Sequence, residues 1–219
     1  MTELRLYSYF RSSAAYRVRI ALNLKKINYD AEFIHLLNDG GQHQSSEYEK
    51  INPQKMLPTL HITEPAIDLH QSLAILEYLE ETHPSPALLP KAPIERAQVR
   101  AMALAICCDI HPLNNLRVLN YLKETLTADK EQTTAWYQHW IHEGFRALEN
   151  KLRTQNSNGL FCLGDAPTFA DICLIPQVYN AQRFGCNLSH FPLIQTINQH
   201  CLSLAAFKKA SPEEQPDYE

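Results

Sequence analysis

The chain has 219 residues, 45% of them hydrophobic and 20% charged, with a formal net charge of −4. That composition suits a folded globule of one large or two small domains, and the acidic balance argues against a nucleic-acid binder, which carries a basic face. No stretch approaches the roughly 20 apolar residues that span a bilayer, and the charged start "MTELRLYSYF" lacks the apolar core of a secretory signal. The six cysteines form no CxxC pair and the ten histidines are scattered. The expectation is a cytoplasmic protein with reduced thiols and no metal site.

Residues 1–82 alternate short apolar runs with helical periodicity. "LRLYSY" (4–9) reads as a strand, "SAAYRVRIALNLKK" (13–26) as a helix and "YDAEFIHL" (29–36) as a second strand. A polar loop, "NDGGQHQSSEYEK", follows with room for a short helix. "LPTLHI" and "AIDL" are close enough to pair as an antiparallel hairpin, and "SLAILEYLEETH" is a helix. The order βαβ-ββα predicts a mixed sheet with helices packed on it. Pro84, Pro86, Pro90 and Pro93 stiffen residues 83–93 into a linker, since proline has no backbone donor and disfavours helix in the residue before it. Residues 94–219 show only helical periodicity, over 94–111, 113–126, 130–154, 168–183 and 191–205. The acidic tail "SPEEQPDYE" reads as frayed.

Three arginines and two hydroxyls meet where the first strand gives way to helix: Arg11, Ser12, Ser13, Arg17 and Arg19. A helix start presents backbone N–H groups without intrahelical partners and the positive end of a dipole, so this junction is a natural anion site. Ala14, Val18, Ala21 and Leu22 share one face of the helix, while Ile20 and Leu24 flank Arg17 on another. Both faces are expected to be covered, by the sheet and by a second domain, with Arg19 on the helix surface. Gln71 and Ser72 open the helix "SLAILEYLEETH"; they can hold a carboxylate or simply cap the helix. "TFAD" (168–171) fits a capping box and is assigned no chemistry. Pro112 in "IHPLNNLR" predicts a kink that can turn His111, Asn114, Asn115 and Arg117 toward a ligand, or mark only a polar connection.

Together these pieces resemble the cytosolic glutathione transferase fold: an α/β thioredoxin-like domain (1–82), a proline linker (83–93) and an all-α domain (94–219). "SYFRSSAAYRVRIAL" is similar to the zeta-class signature Ser-Ser-Cys-x-Trp-Arg-Val-Arg-Ile-Ala-Leu, with Ala14 replacing its cysteine and Tyr16 its tryptophan. The likeness continues, in order, through "NPQKMLPTL", "HQSLAILEYLEE", "DIHPLNNLRVL", "LGDAPTFADICLIPQV" and "AQRFGCNL". It implies glutathione as cofactor, a small dicarboxylate substrate and a homodimer. The zeta class includes maleylacetoacetate isomerase and maleylpyruvate isomerase. The activity implied is therefore glutathione-dependent cis–trans isomerisation by thiolate addition, bond rotation and elimination. Maleylacetoacetate, of tyrosine and phenylalanine breakdown, is the first expectation. Maleylpyruvate of gentisate breakdown, general glutathione transfer, and a glutathione-binding scaffold without catalysis are the alternatives.

By the same resemblance Ser12, followed by Ser13, stabilises the thiolate. A hydroxyl donor and a helix start contribute on the order of 1 kcal/mol each, against the roughly 2.7 kcal/mol needed to lower a thiol pKa by about two units. Arg11 and Arg183 are implied to grip the substrate's acidic end, where a guanidinium also steadies an enolate, with Asn114 and Arg117 beside them. A surface ion pair is the competing reading of Arg183. Glutathione contacts are implied at Arg17, His43, His111 and Asn115, and at Gln71 and Ser72 for the γ-glutamyl end. Leu57 joins them through its backbone if Pro58 is cis; a trans proline at a strand entrance is the ordinary case. A requirement for the signature thiol would leave an Ala14 protein inactive. The nucleophile implied is the tripeptide's sulfur, so activity is expected to survive.

Overall fold

The computed structural model describes residues 3–155 and 160–219. It divides into two compact units: residues up to Ala87 together with Ser203–Glu219, and Leu88–Leu202. In the first, β1 (Leu4–Ser8) lies parallel to β2 (Asp30–Phe33) and antiparallel to β3 (Thr59–Ile62). β3 in turn pairs antiparallel with β4 (Ile67–His70), giving the order β2-β1-β3-β4. The cross-strand pairs Leu4–Ile62 and Leu6–Leu60 are buried. They share the core with Val18, Ala21 and Leu22 of α1 (Ser13–Leu24) and Ile75, Leu76 and Leu79 of α3 (Ser72–Thr82). Each such valine, leucine or isoleucine side chain contributes about 1.5–3 kcal/mol when fully buried. The polar loop does hold a short helix, α2 (Ser46–Ile51), capped by Ser45 Oγ, which accepts from Tyr48 N–H at 3.2 Å.

Among its described residues the second unit contains helices and turns and no strand. α4 (Pro93–Leu104) starts on a proline, which suits the first helical position. Its apolar pattern runs on to residue 111 in the sequence, but the backbone widens to a π turn at Ala105–Ile110 and then tightens to a 3-10 turn at His111–Asn114. Pro112 breaks the run as its missing donor requires. α5 (Leu116–Glu124), α6 (Lys130–Thr154), α7 (Phe169–Arg183) and α8 (Pro192–Ser203) follow. Gly144 of α6 lets the π turn approach, because a Cβ there would meet Ile110 Cδ1 at 2.2 Å. α7 is buried along most of its length, and Asp171 holds its start. The Asp171 carboxylate accepts from Thr168 N–H, the Thr168 hydroxyl and Cys162 N–H at 2.7–2.8 Å, the structural role expected of "TFAD". The linker divides between the units: Leu88 and Leu89 are buried in the second, where Leu88 O accepts Phe169 N–H at 3.1 Å. Among the described residues no helix is long and apolar enough to cross a membrane, and no three His, Cys, Asp or Glu side chains cluster as metal ligands.

Three expectations are corrected by the C-terminal segment. Residues 203–219 were placed with the helical domain, yet they fold onto the first unit, where α9 (Ala205–Ala210) packs against α1. The cause is a row of donors on α1 at helical spacing. Tyr16 OH, Arg19 Nε and Asn23 Nδ2 reach the carbonyls of Phe207 (3.5 Å), Ala210 (3.0 Å) and Ala206 (3.0 Å). Arg19, expected at the surface, is only 1% exposed. The tail is not frayed either: Asp217 Oδ2 accepts Phe10 N–H at 2.9 Å, and the Tyr218 ring stands edge-on to Phe10.

Candidate active site

Strand direction decides where this unit can bind. β1, β2 and β4 run one way and β3 the other, so the ends of the first three and the start of β3 meet at one edge of the sheet. Tyr7, Thr59 and His70 lie in one row across it. Beyond that row come Arg11–Ser13, Pro58, and Gln71–Ser72, which the sequence scatters over some sixty positions. The loop after β2, with His43, leaves the sheet at the same end.

Ser12 is the N-cap of α1: its backbone is extended (φ −70°, ψ 110°) and its Oγ accepts Ala15 N–H at 3.2 Å. That bond uses a lone pair and leaves the hydroxyl proton to donate. Ser13, buried, is the first helical residue. Arg11 is half-buried, its guanidinium 4.6 Å from the Phe10 ring centroid, and its Nε has no hydrogen-bond partner. Arg19 and Asp217 hold the turn that carries these groups. Arg19 Nη1 donates to Ser8 Oγ (3.1 Å) and Tyr9 O (3.3 Å), and its Nη2 to Phe10 O (3.0 Å), while Asp217 takes Phe10 N–H. Burial pushes the Arg19 pKa down from 12.5 to about 10, opposed by the nearby Tyr29, Tyr16 and Asp217.

Arg17 is 2% exposed and donates from Nη1 to Ser72 Oγ at 3.2 Å, joining the start of α1 to that of α3. Its Nε and Nη2 have no hydrogen-bond partner, and it makes no ion pair among the described residues. A buried cation of this kind puts uncompensated positive charge beneath two helix starts. Gln71 does not cap α3 through its side chain; its amide donates to Gln54 Oε1 at 2.8 Å, and its backbone sits at φ 68°. A left-handed conformation in a residue other than glycine costs about 1–3 kcal/mol and concentrates at functional sites. The Leu57–Pro58 peptide is cis. The turn before it is braced by Tyr48 OH and Asn52 Nδ2, both donating to Met56 O at 2.8 Å. His43 is half-buried in a 3-10 turn, its pKa lowered by burial and by Lys55. A Cβ on the preceding Gly41 (φ 95°) would meet its ring at 2.6 Å.

In the second unit Asn115 caps α5, accepting Arg117 N–H at 3.1 Å. Asn114 is buried and donates to Tyr137 O at 3.1 Å, which ties the turn to α6. Both side chains thus have structural employment that the sequence did not reveal. His111 opens the 3-10 turn, half-buried, and Arg117 is exposed. Arg183 ends α7, exposed, its guanidinium 4.9 Å from the Phe184 ring, which stacks on Tyr137. It makes no ion pair among the described residues, against the surface-pair reading. Asp217, Arg19, Gln54 and Asn52 were missed as supports of the site. Only Arg19 left a trace, by sharing a helix face with Tyr16 and Asn23.

A thioredoxin-like sheet of this order, with helix starts gathered at one end and followed by an all-helical unit, is the architecture of a glutathione-binding transferase. The sequence matches the descriptions "Glutathione S-transferase, N-terminal domain" over residues 6–87 and "Glutathione S-transferase, C-terminal domain" over residues 131–186. The chain belongs to the glutathione S-transferase family. It is 48% identical over 217 residues to a probable maleylacetoacetate isomerase of Vibrio cholerae, covering 99% of both chains. A holo structure of a maleylpyruvate isomerase, described as a bacterial zeta-class glutathione S-transferase, superposes with a TM-score of 0.94 at 42% identity, covering 98% of this chain and 100% of that one. A maleylacetoacetate isomerase of Methylobacterium extorquens AM1, with bound malonate and glutathione, gives 0.93 at 38% identity, with 98% and 99% coverage.

Proposed function

We propose that this protein is a cytoplasmic, homodimeric, glutathione-dependent cis–trans isomerase of maleylacetoacetate. The carrying observation is the pairing of two helix starts at one sheet edge, with Ser12 capping one and the buried Arg17 bonded to Ser72 of the other. Uncompensated buried positive charge and two helix starts fit a tripeptide that bears two carboxylates and an ionisable thiol. When bound, glutathione supplies the sulfur nucleophile that opens the double bond to rotation and is released again.

The chain's own residues then have separate tasks. Ser12 donates its hydroxyl proton toward the sulfur and, with the α1 dipole, favours the anion at neutral pH. Ser72 and Gln71 receive the γ-glutamyl end, Ser72 being oriented by Arg17, and Leu57 offers its backbone beside Pro58. His43, His111 and Asn115 complete the tripeptide's contacts. Arg11 and Arg183 hold substrate carboxylates and stabilise negative charge developing next to them, with Asn114 and Arg117 in support. Ala14 leaves this scheme intact, since no protein thiol takes part.

Maleylpyruvate is the second reading, favoured by the likeness to the maleylpyruvate isomerase structure. Purified protein with glutathione, assayed side by side on both substrates, tests the proposal. Faster turnover of maleylacetoacetate is expected, and faster turnover of maleylpyruvate would reassign the substrate. Tight glutathione binding with neither substrate isomerised would leave a scaffold.

A further inference from the structure

Two thiols that this chemistry does not use meet in the second unit. Cys107, in the π turn Ala105–Ile110, places its Sγ 3.5 Å from Cys173 Sγ in α7. Cys173 is wholly buried and Cys107 partly exposed. They are 66 positions apart in sequence, and the π turn packs directly on α7. The surrounding core, not the two side chains, therefore holds their backbones side by side. A disulfide has its sulfurs about 2.05 Å apart, so closing from the observed separation asks for roughly 1.5 Å of movement. A displacement of that size is on the scale of a side-chain χ1 rotation.

The other thiols are in different circumstances. Burial pushes Cys186 to about 11 and moves Cys162 and Cys201 up as well, so all three stay protonated near neutral pH. Cys108 is exposed, but as an immediate neighbour it cannot readily bridge Cys107.

We propose that Cys107 and Cys173 are a modification site, converted by a peroxide to a reversible disulfide that fastens the π turn to α7. The Cys107 sulfur attacks one peroxide oxygen and the O–O bond breaks. A sulfenic acid forms, and the departing hydroxide takes the thiol proton to leave as water. The Cys173 sulfur then attacks the sulfenic sulfur, the S–O bond breaks, and hydroxide leaves as a second water with the Cys173 proton. The two thiols give up two electrons in all, and the peroxide receives them. Excess glutathione or another thiol reverses the bond by exchange. The π turn runs straight into His111–Asn115, so the bond stiffens the connection that carries those residues.

The test treats the full chain with hydrogen peroxide, blocks remaining thiols with a maleimide, and digests without reductant. Mass spectrometry should find a Cys107–Cys173 linked peptide that dithiothreitol dissolves, absent from C107S and retained in C108S. Oxidised wild-type protein should melt at least about 3 °C above the reduced form, as expected for a cross-link closing a loop of this length, with no rise in C107S. Cys107 and Cys173 recovered as maleimide adducts, or as separate sulfinic acids, would overturn the proposal. So would links confined to other cysteines.

Discussion

Replacing Arg19 by methionine removes four hydrogen bonds while nearly preserving volume. Tyr9 O keeps a donor, because Ser12 N–H reaches it at 2.9 Å. Ser8 Oγ, Phe10 O and Ala210 O each lose the guanidinium that now serves them at 3.0–3.1 Å. A buried acceptor left unmatched costs about 1–3 kcal/mol, so three at mid-range cost roughly 6 kcal/mol. Against this, methionine carries no charge to desolvate. The fall of the Arg19 pKa from 12.5 to about 10 puts that recovery at roughly 3 kcal/mol, using about 1.36 kcal/mol per pKa unit. The net expectation is a loss of about 3 kcal/mol, or a melting temperature lower by about 6–12 °C for a chain of this size. The loss should be local in origin, since Arg19 ties the Ser8–Phe10 turn to α9. Limited proteolysis should therefore cut the C-terminal segment of the variant well before the rest of the chain. Arg19→Lys should recover less than half, because one ammonium cannot span Ser8, Phe10 and Ala210 together. A melting shift under about 2 °C, or a C-terminal segment as resistant as in the wild type, would refute the account of Arg19 as a clamp.

Ser12→Ala should cost about 1 kcal/mol in stability through the lost cap. It should also raise the apparent pKa of bound glutathione, read from thiolate absorbance against pH, while glutathione affinity stays within a few-fold; an unmoved thiol pKa would remove Ser12 from its assigned role. Arg17→Met should weaken glutathione binding by roughly tenfold, the equivalent of about 1.4 kcal/mol for the lost orientation of Ser72 and the lost charge, as calorimetry would measure; equal affinity would mean that the charge serves only the fold. Burial and Lys55 lower the His43 pKa from 6.5, favouring the neutral ring in the folded protein. A base whose pKa is depressed on folding lends stability above its unfolded value and withdraws it as pH falls through the folded one. Melting temperature should accordingly drop on acidification below about pH 6.5, and His43→Asn should flatten that decline; an unchanged slope would place the acid sensitivity elsewhere. Asp217→Ala leaves Phe10 N–H without its acceptor and should cost about 1–2 kcal/mol, with urea denaturation as the measure and no change as the refuting result.

Periodicity marked α1, the hairpin of β3 and β4, and α6 within a residue or two, because each carries a local pattern that any context must bury. Pro112 announced its own break, since a missing N–H is a property of the residue and not of its surroundings. The helix starts at Ser12 and Ser72 were likewise legible, and the family resemblance attached glutathione to them. What went unread depends on partners distant in sequence. Arg19 looked like a surface arginine because no local pattern shows that its guanidinium folds back onto Ser8, Tyr9 and Phe10 while its Nε meets Ala210 O, 191 positions away. Asp217 sat in an acidic, proline-bearing stretch that resembles a loose end, and only the free N–H of Phe10, 207 positions earlier, gives it work. The bracing bond of Asn114 to Tyr137 O was hidden for the same reason, being a matter of how the broken helix settles on α6. The amino-acid order alone determined the helices and strands, the break at Pro112 and the chemistry gathered before α1. Tertiary structure decided which charged groups bind and which brace, because a buried polar atom takes its meaning from whatever the fold brings within about 3 Å of it.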